Sequence, residues 1–341
     1  MPRSSRRPPR RTPDRNSLPV TEFEEIVTRV VLTISTSLIL LALAAPAQAA
    51  RKPIVGFGEQ APQIFSDFRW IDLEKNEGHH IRYVMPWDAL RRVESRAVVD
   101  LWMRAADYRN AKVMLTFGHS VRKGRARLKL PTRAQYRREI RAVRKRYPFV
   151  KTFQAWNEAN HGSQPTAKKP KATGKLYDVL VKTCRGCTIT APSILLAGTK
   201  EIRWLKAFDK GAKKRVKIWA VHNHIDANRN TKSGTKLFLK SFKRGKVWFT
   251  ETGAIWERWV PKKTGKIKHI KRYNSRTAVR AIRNIFKLQR LNRRRIDRIY
   301  IYNWYSPGIK KPQWDSGLIG PSGKERKTFR TLKAQMRKYA R

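Results

Sequence analysis

Apolar positions along this chain follow two rhythms. Short runs rich in β-branched and aromatic residues recur at 54–58, 81–85, 112–117, 152–156, 187–191, 216–222, 246–250 and 298–303. Each is bounded by polar or turn-forming residues, as expected of strands. Between them lie stretches with apolar residues at three- and four-residue spacing, the mark of helices with one buried face. The spacing predicts a helix over 132–146, between Pro131 and Pro148, and another over 274–291. Most neighbouring runs begin about 30 to 40 residues apart, one strand-plus-helix unit each. The last interval is longer and predicts an extended loop after the seventh strand. Eight alternating units in a single domain over 50–341 is the rhythm of a (β/α)8 barrel of the α/β class. A doubly wound sheet is the alternative, but Gly56-Phe57-Gly58-Glu59 does not continue into the glycine-rich turn that such sheets use for dinucleotides.

The first 49 residues have a different pattern. An Arg- and Pro-rich start leads into an uncharged, mostly apolar run over 30–45, followed by Pro46-Ala47-Gln48-Ala49. The run has the length of a signal-peptide core and is short for a membrane span, and Ala47 and Ala49 fit a small-residue cleavage site. The expectation is an exported protein, secreted or wall-associated. The alternative is an uncleaved segment that anchors it to a membrane.

Charge changes the picture next. The 341 residues include 78 Lys or Arg against 24 Asp or Glu, a net charge of +54. Charge alone suggests a nucleic-acid binder. Eleven Trp and an apolar content of 40% instead require a packed core. The first 49 residues hold seven Arg and four acidic residues, so residues 50–341 carry +51. The expected partners of that charge are anionic cell-wall polymer or acidic polysaccharide, with no specific nucleic acid. Two cysteines exclude a disulfide-built fold and a multi-cysteine zinc array. Cys184 and Cys187, just before the fifth strand, read as a local disulfide in an exported protein.

In such a barrel, chemistry gathers at the C-terminal ends of the strands. Read there, the chain offers Arg82 on strand two, His119 after strand three, Asn157 and Glu158 after strand four, His222 and His224 at strand six, Glu251 at strand seven and Trp304 after strand eight. Glu158 and Glu251 would face each other across the mouth. Two opposed carboxylates are what glycoside hydrolysis needs, one to deliver a proton and one to remain ionised. Arg82 would keep Glu251 ionised, Asn157 would bond a sugar hydroxyl, and Trp304 would offer a flat face to a pyranose ring.

These residues carry a resemblance. Trp156-Asn157-Glu158-Ala159-Asn160 resembles the W-N-E-P-N of family 39 glycoside hydrolases, with Ala159 in place of proline. Phe249-Thr250-Glu251-Thr252-Gly253 resembles the strand-seven T-E-x-G of clan A, and Arg82, His119, His222 and Trp304 match positions that recur in family 5. Where those families usually have H-x-Y on strand six, this chain has His222-Asn223-His224. The resemblance covers roughly residue 54 to the C-terminus. It implies a retaining double displacement on a β-linked poly- or oligosaccharide, with Glu158 as acid/base and Glu251 as nucleophile. No cofactor or metal is expected. A non-catalytic carbohydrate-binding barrel is the competing expectation.

Other residues read more plainly. His79 and His80 are expected in solvated loop. Glu59 suits the cleft or the surface, and Trp87, Trp256 and Trp259 suit sugar platforms or core packing. Arg137-Arg138-Glu139-Ile140-Arg141 and Arg293-Arg294-Arg295 read as outer barrel faces.

Overall fold

The computed structural model describes residues 52–74, 79–261, 267–272, 274–307 and 314–340. The proposed leader lies outside the described residues. Nine parallel strands form one sheet: β1 (Ile54–Gly58), β2 (His80–Pro86), β3 (Lys112–Gly118), β4 (Thr152–Gln154), β5 (Thr188–Thr190), β6 (Ser193–Leu195), β7 (Ile218–His222), β8 (Lys246–Thr252) and, after a small hairpin, β11 (Ile296–Tyr302). Their order is β5-β4-β3-β2-β1-β11-β8-β7-β6. The two ends of that list are consecutive in the chain. β5 pairs with β4 and β6 pairs with β7, so together they serve as the fifth strand and the sheet curls into an α/β (β/α)8 barrel. The break falls at Ala191-Pro192, where proline has no N–H to give a ladder.

Both predicted helices form. Helix Arg133–Arg146 opens on Thr132, whose hydroxyl accepts from the Gln135 N–H while the Gln135 side chain accepts from the Thr132 N–H. Helix Ser275–Leu291 opens on Asn274, whose side-chain Oδ1 accepts from the Thr277 N–H. The extended loop after strand seven forms a hairpin of β9 (Glu257–Pro261) and β10 (Ile267–Arg272), and β12 (Trp314–Asp315), from the segment after β11, pairs with β9 to complete a second, antiparallel sheet. Among the described residues, no helix is long and apolar enough to cross a membrane.

Alternation along the strands sorts residues between two cores. Val55 and Phe57, Ile81, Tyr83 and Met85, Val113, Leu115 and Phe117, and Ile299 and Ile301 belong to the large cluster packed under the helices. Their neighbours face the barrel axis, where Met114, Trp248 and Tyr300 form a separate small cluster. Above it lies a polar layer in which Gln154 Oε1 accepts from Thr116 and Arg82, while Gln154 Nε2 donates to Thr250. Two glycines make room on the inner face of β1. A side chain at Gly56 would press within 2.6 Å of the His80 carbonyl oxygen.

Several expectations change. His80 is the first residue of β2 and is buried, so it is not a loop histidine; desolvation, with Arg298 and Lys112 nearby, pushes its pKa down to about 3. His79 is half-buried beside the Trp70 ring. Arg137, Arg138 and Arg141 are exposed as expected, but Glu139 between them is buried and pairs with Arg91 at 2.6 Å. Arg295 is also no simple surface residue. Its guanidinium donates to the carbonyls of Phe242, Lys243, Arg244 and Gly245, closing the turn before β8. Cys184 and Cys187 are joined as a disulfide.

Candidate active site

A cavity of about 690 Å³ opens at the C-terminal mouth of the barrel. Glu158 and Glu251 both line it. Glu251 arrives there because of a bulge. Trp248 and Thr250 face the axis, so strict alternation would send Glu251 outward. The register against both β7 and β11 slips by one residue at this point, which turns Glu251 inward. Its Oε2 then accepts from Arg82 Nη1 at 2.8 Å, and both side chains are almost fully buried. Glu158 sits one loop away with φ of 43°, a left-handed conformation that a non-glycine residue adopts at a cost. It is pinned by its own N–H, which donates to Ser193 Oγ at 2.9 Å, and by its carbonyl, which accepts from the His161 N–H.

One imidazole nitrogen touches both carboxylates. His222 Nδ1 lies 3.2 Å from Glu158 Oε1 and 3.8 Å from Glu251 Oε2. The two oxygens are therefore separated by at most the sum of those distances, reached only if the three atoms were collinear. That bound admits the ~5 Å separation of a retaining pair. Burial, and secondarily the Arg82 charge, drives the His222 pKa well below the ordinary 6.5, so the ring is neutral near pH 7. Its Nε2 is buried without a partner. An orphaned N–H costs more than an orphaned lone pair, so the proton belongs on Nδ1, between the carboxylates.

Burial by itself would raise the Glu251 pKa. The two imidazoles and the Arg82 guanidinium outweigh burial and the neighbouring Glu158, and hold it below 4.5. His224 Nε2 stands 3.4 Å from Glu251 Oε1, a close contact without hydrogen-bond geometry. Arg82 also donates to Asn157 Oδ1 at 2.5 Å, which leaves the Asn157 amide N–H2 to face the cavity. His119 lines the far wall. Its Nδ1 is 3.0 Å from the Ser120 carbonyl and its Nε2 is 2.5 Å from Arg127 Nη2, so the neutral ring carries its proton on Nδ1. His222, His224 and Glu251 also bring three ligand-type atoms within 4.8 Å of one another. A metal ion there would compete with the Arg82 guanidinium for the same carboxylate.

Of the residues expected at the site, the cavity brings together Arg82, His119, Asn157, Glu158 and Glu251, with His222 and His224 directly beneath. Trp304 is different. It is fully buried, packs edge-on against Phe57 and Phe329, and donates its indole N–H to Asp67. A ring without exposed face cannot stack on a sugar. Tyr302, two residues earlier, lines the cavity instead. The alternation Ile299, Tyr300, Ile301, Tyr302 carried the signal for an inward Tyr302.

Glu59 lines neither cleft nor surface. It is buried and accepts four backbone N–H bonds, from Gln60, Ala61, Trp304 and Tyr305. Trp87 is buried under Arg91, and Trp256 is half-buried under Arg326. The side chain of Trp259 lies outside the described residues. Trp314, Arg258 and His161 also line the cavity, and sequence reasoning gave none of them that place.

No family model matches the chain, and no curated protein matches it. Solved structures do. A family 39 glycoside hydrolase from Bacteroides cellulosilyticus WH2 matches 84% of this chain with 15% identity and a TM-score of 0.54. The chain spans 64% of that protein. A monomeric β-xylosidase from Caulobacter crescentus CB15 matches 84% of the chain at 15% identity and a TM-score of 0.55, with 69% of its own length covered. A family 10 endoxylanase from a sugarcane soil metagenome matches 84% of the chain at 14% identity and a TM-score of 0.57, with 97% of its length covered. At these identities the likeness establishes the barrel fold.

Proposed function

We propose that this chain is a retaining glycoside hydrolase acting on a β-linked glycan. The observation that carries the reading is the contact of both carboxylates with one His222 nitrogen, at the end of the barrel where such folds place their chemistry. Solved structures similar to it include hydrolases of xylosides and xylans, which supports the same class.

In this reading, Glu251 attacks the anomeric carbon as the bond to the leaving oxygen breaks. Glu158 gives its proton to that oxygen, so the leaving group departs as an alcohol. The sugar is left as an ester of Glu251. Water then attacks the same carbon. Its proton passes to Glu158, the ester bond breaks, and Glu251 is again a carboxylate. Arg82 keeps Glu251 ionised and therefore nucleophilic. The His222 N–H, bonded to Glu158 and close beside Glu251, holds the two acids in register through both steps. Asn157, oriented by Arg82, donates to a sugar hydroxyl.

Two substitutions separate the roles. Glu251→Gln is expected to lower kcat by at least about 10³-fold on every substrate, since no ester can form. Glu158→Ala is expected to retain much of the first step on aryl glycosides with good leaving groups, which depart without a proton, and to lose natural glycans. Steady-state kinetics on both substrate types checks this. Full activity in Glu251→Gln would overturn the assignment, whereas carbohydrate binding without turnover by the unmodified chain would favour a binding module. Export through the segment over 30–49 fits a glycan substrate outside the cell, and the basic surface would hold the enzyme on anionic polymer there.

A further inference from the structure

The charges around the cavity bear on the kind of sugar it takes, an inference that rests on the glycosidase reading. Two carboxylates line the cavity, and both belong to the proposed reaction. Arg82 is engaged by Glu251, Gln154 and Asn157. Arg258 is not so engaged. It reaches the cavity from β9, is solvent-exposed, and its side chain has no hydrogen-bond or ion-pair partner among the described residues.

Its surroundings fit a ligand. Arg258 is the cross-strand partner of Trp314 in the antiparallel β9–β12 ladder. Directly opposite residues of such a ladder project to the same face, with Cβ atoms about 4.5–5.5 Å apart, and here both side chains line the cavity. The pair therefore sets a guanidinium beside an indole. The indole is continuous with the reaction centre, because the Trp314 ring lies 4.7 Å from the His224 ring, and His224 stands 3.4 Å from Glu251. An indole face takes the apolar face of a pyranose, and a guanidinium takes a carboxylate through two parallel hydrogen bonds. A neutral sugar engages the first and leaves the second unpaired.

We propose that Arg258 and Trp314 form a subsite for an acidic pyranose, which makes a uronate-containing β-glycan the substrate class. The carboxylate of the sugar pairs with Arg258 while its ring stacks on Trp314. Arg127, over His119 on the opposite wall, keeps the mouth positive and favours an anionic chain on entry.

The test compares matched glycosides that differ only in that carboxylate: 4-nitrophenyl β-D-glucuronide with the β-D-glucoside, and the β-D-galacturonide with the β-D-galactoside. Turnover is measured with the unmodified enzyme and binding with Glu251→Gln. In at least one pair the acidic member is expected to exceed the neutral one about tenfold, in kcat/KM or in affinity. Arg258→Gln is expected to remove most of that advantage, lowering use of the acidic member far more than that of the neutral one. Equal or better use of the neutral member in both pairs, or an acidic advantage that survives Arg258→Gln, would overturn the subsite. Turnover of the neutral glycosides without acidic preference would do so while leaving the hydrolase reading intact. Acid-selective, Arg258-dependent binding without turnover would uphold the subsite and sink the hydrolase reading.

Discussion

Asp67 gathers five hydrogen bonds on one carboxylate: three from the backbone and guanidinium of Arg69, one from the Trp304 indole and one from the Tyr305 hydroxyl. It does not line the cavity, yet it fixes the chain just past β11, where Tyr302 faces the proposed substrate. Burial would raise its pKa, but the Arg69, Trp304 and Tyr305 hydrogen bonds prevail and bring it down to about 2. Removing the carboxylate leaves the buried Trp304 N–H without an acceptor. Asp67→Ala is therefore expected to cost about 2–4 kcal/mol, read by urea unfolding near pH 7. The sign of the pH dependence is set by the lowered pKa. The contribution is complete above the unfolded value of 3.8 and fades as pH falls toward 2. The gap between the two proteins should therefore narrow below pH 4. A change under about 0.5 kcal/mol at pH 7 would mean that Asp67 is not the anchor described.

At the scale of elements, the strands and the two predicted helices were legible because their cause is local. β-branched runs form strands, and Thr132 and Asn274 announce their helices by capping chemistry. Glu158 and Glu251 were legible as strand-end carboxylates in a chain poor in acids. What escaped depends on contacts distant in sequence. The bulge that turns Glu251 inward is a matter of register between three strands, and no residue within Phe249-Thr250-Glu251-Thr252 announces it. Trp304 was misplaced because the strand ends at Tyr302. Beyond that point alternation no longer holds, and the side chain turns toward Asp67 and Phe329. His80 resembles loop because polar neighbours precede it, although it begins a strand whose inner face is closed by Gly56. Arg258 and Trp314 stand 56 residues apart, and only the β9–β12 ladder brings them together.

At the scale of the whole molecule, the excess of basic residues has two destinations. A few are structural, such as Arg82 within the barrel and Arg295 at its base. Most of helix Arg133–Arg146 outside its buried stripe, and Arg293 and Arg294, remain exposed. Such a surface is expected to bind polyanions by diffuse attraction that salt screens, the Debye length falling from about 10 Å at 0.1 M to about 3 Å at 1 M. Retention on an immobilised anionic polysaccharide at low salt, and release as salt approaches about 1 M, is the predicted behaviour; retention insensitive to salt would point to a specific contact instead. The central claim, however, concerns the two carboxylates and the nitrogen between them. Retaining chemistry needs a short separation and a covalent intermediate on Glu251. The most direct measurement is a proton NMR time course of hydrolysis of a β-glycoside, read at the anomeric signal before mutarotation. The account predicts the β-anomer as the first product; the α-anomer appearing first would contradict it.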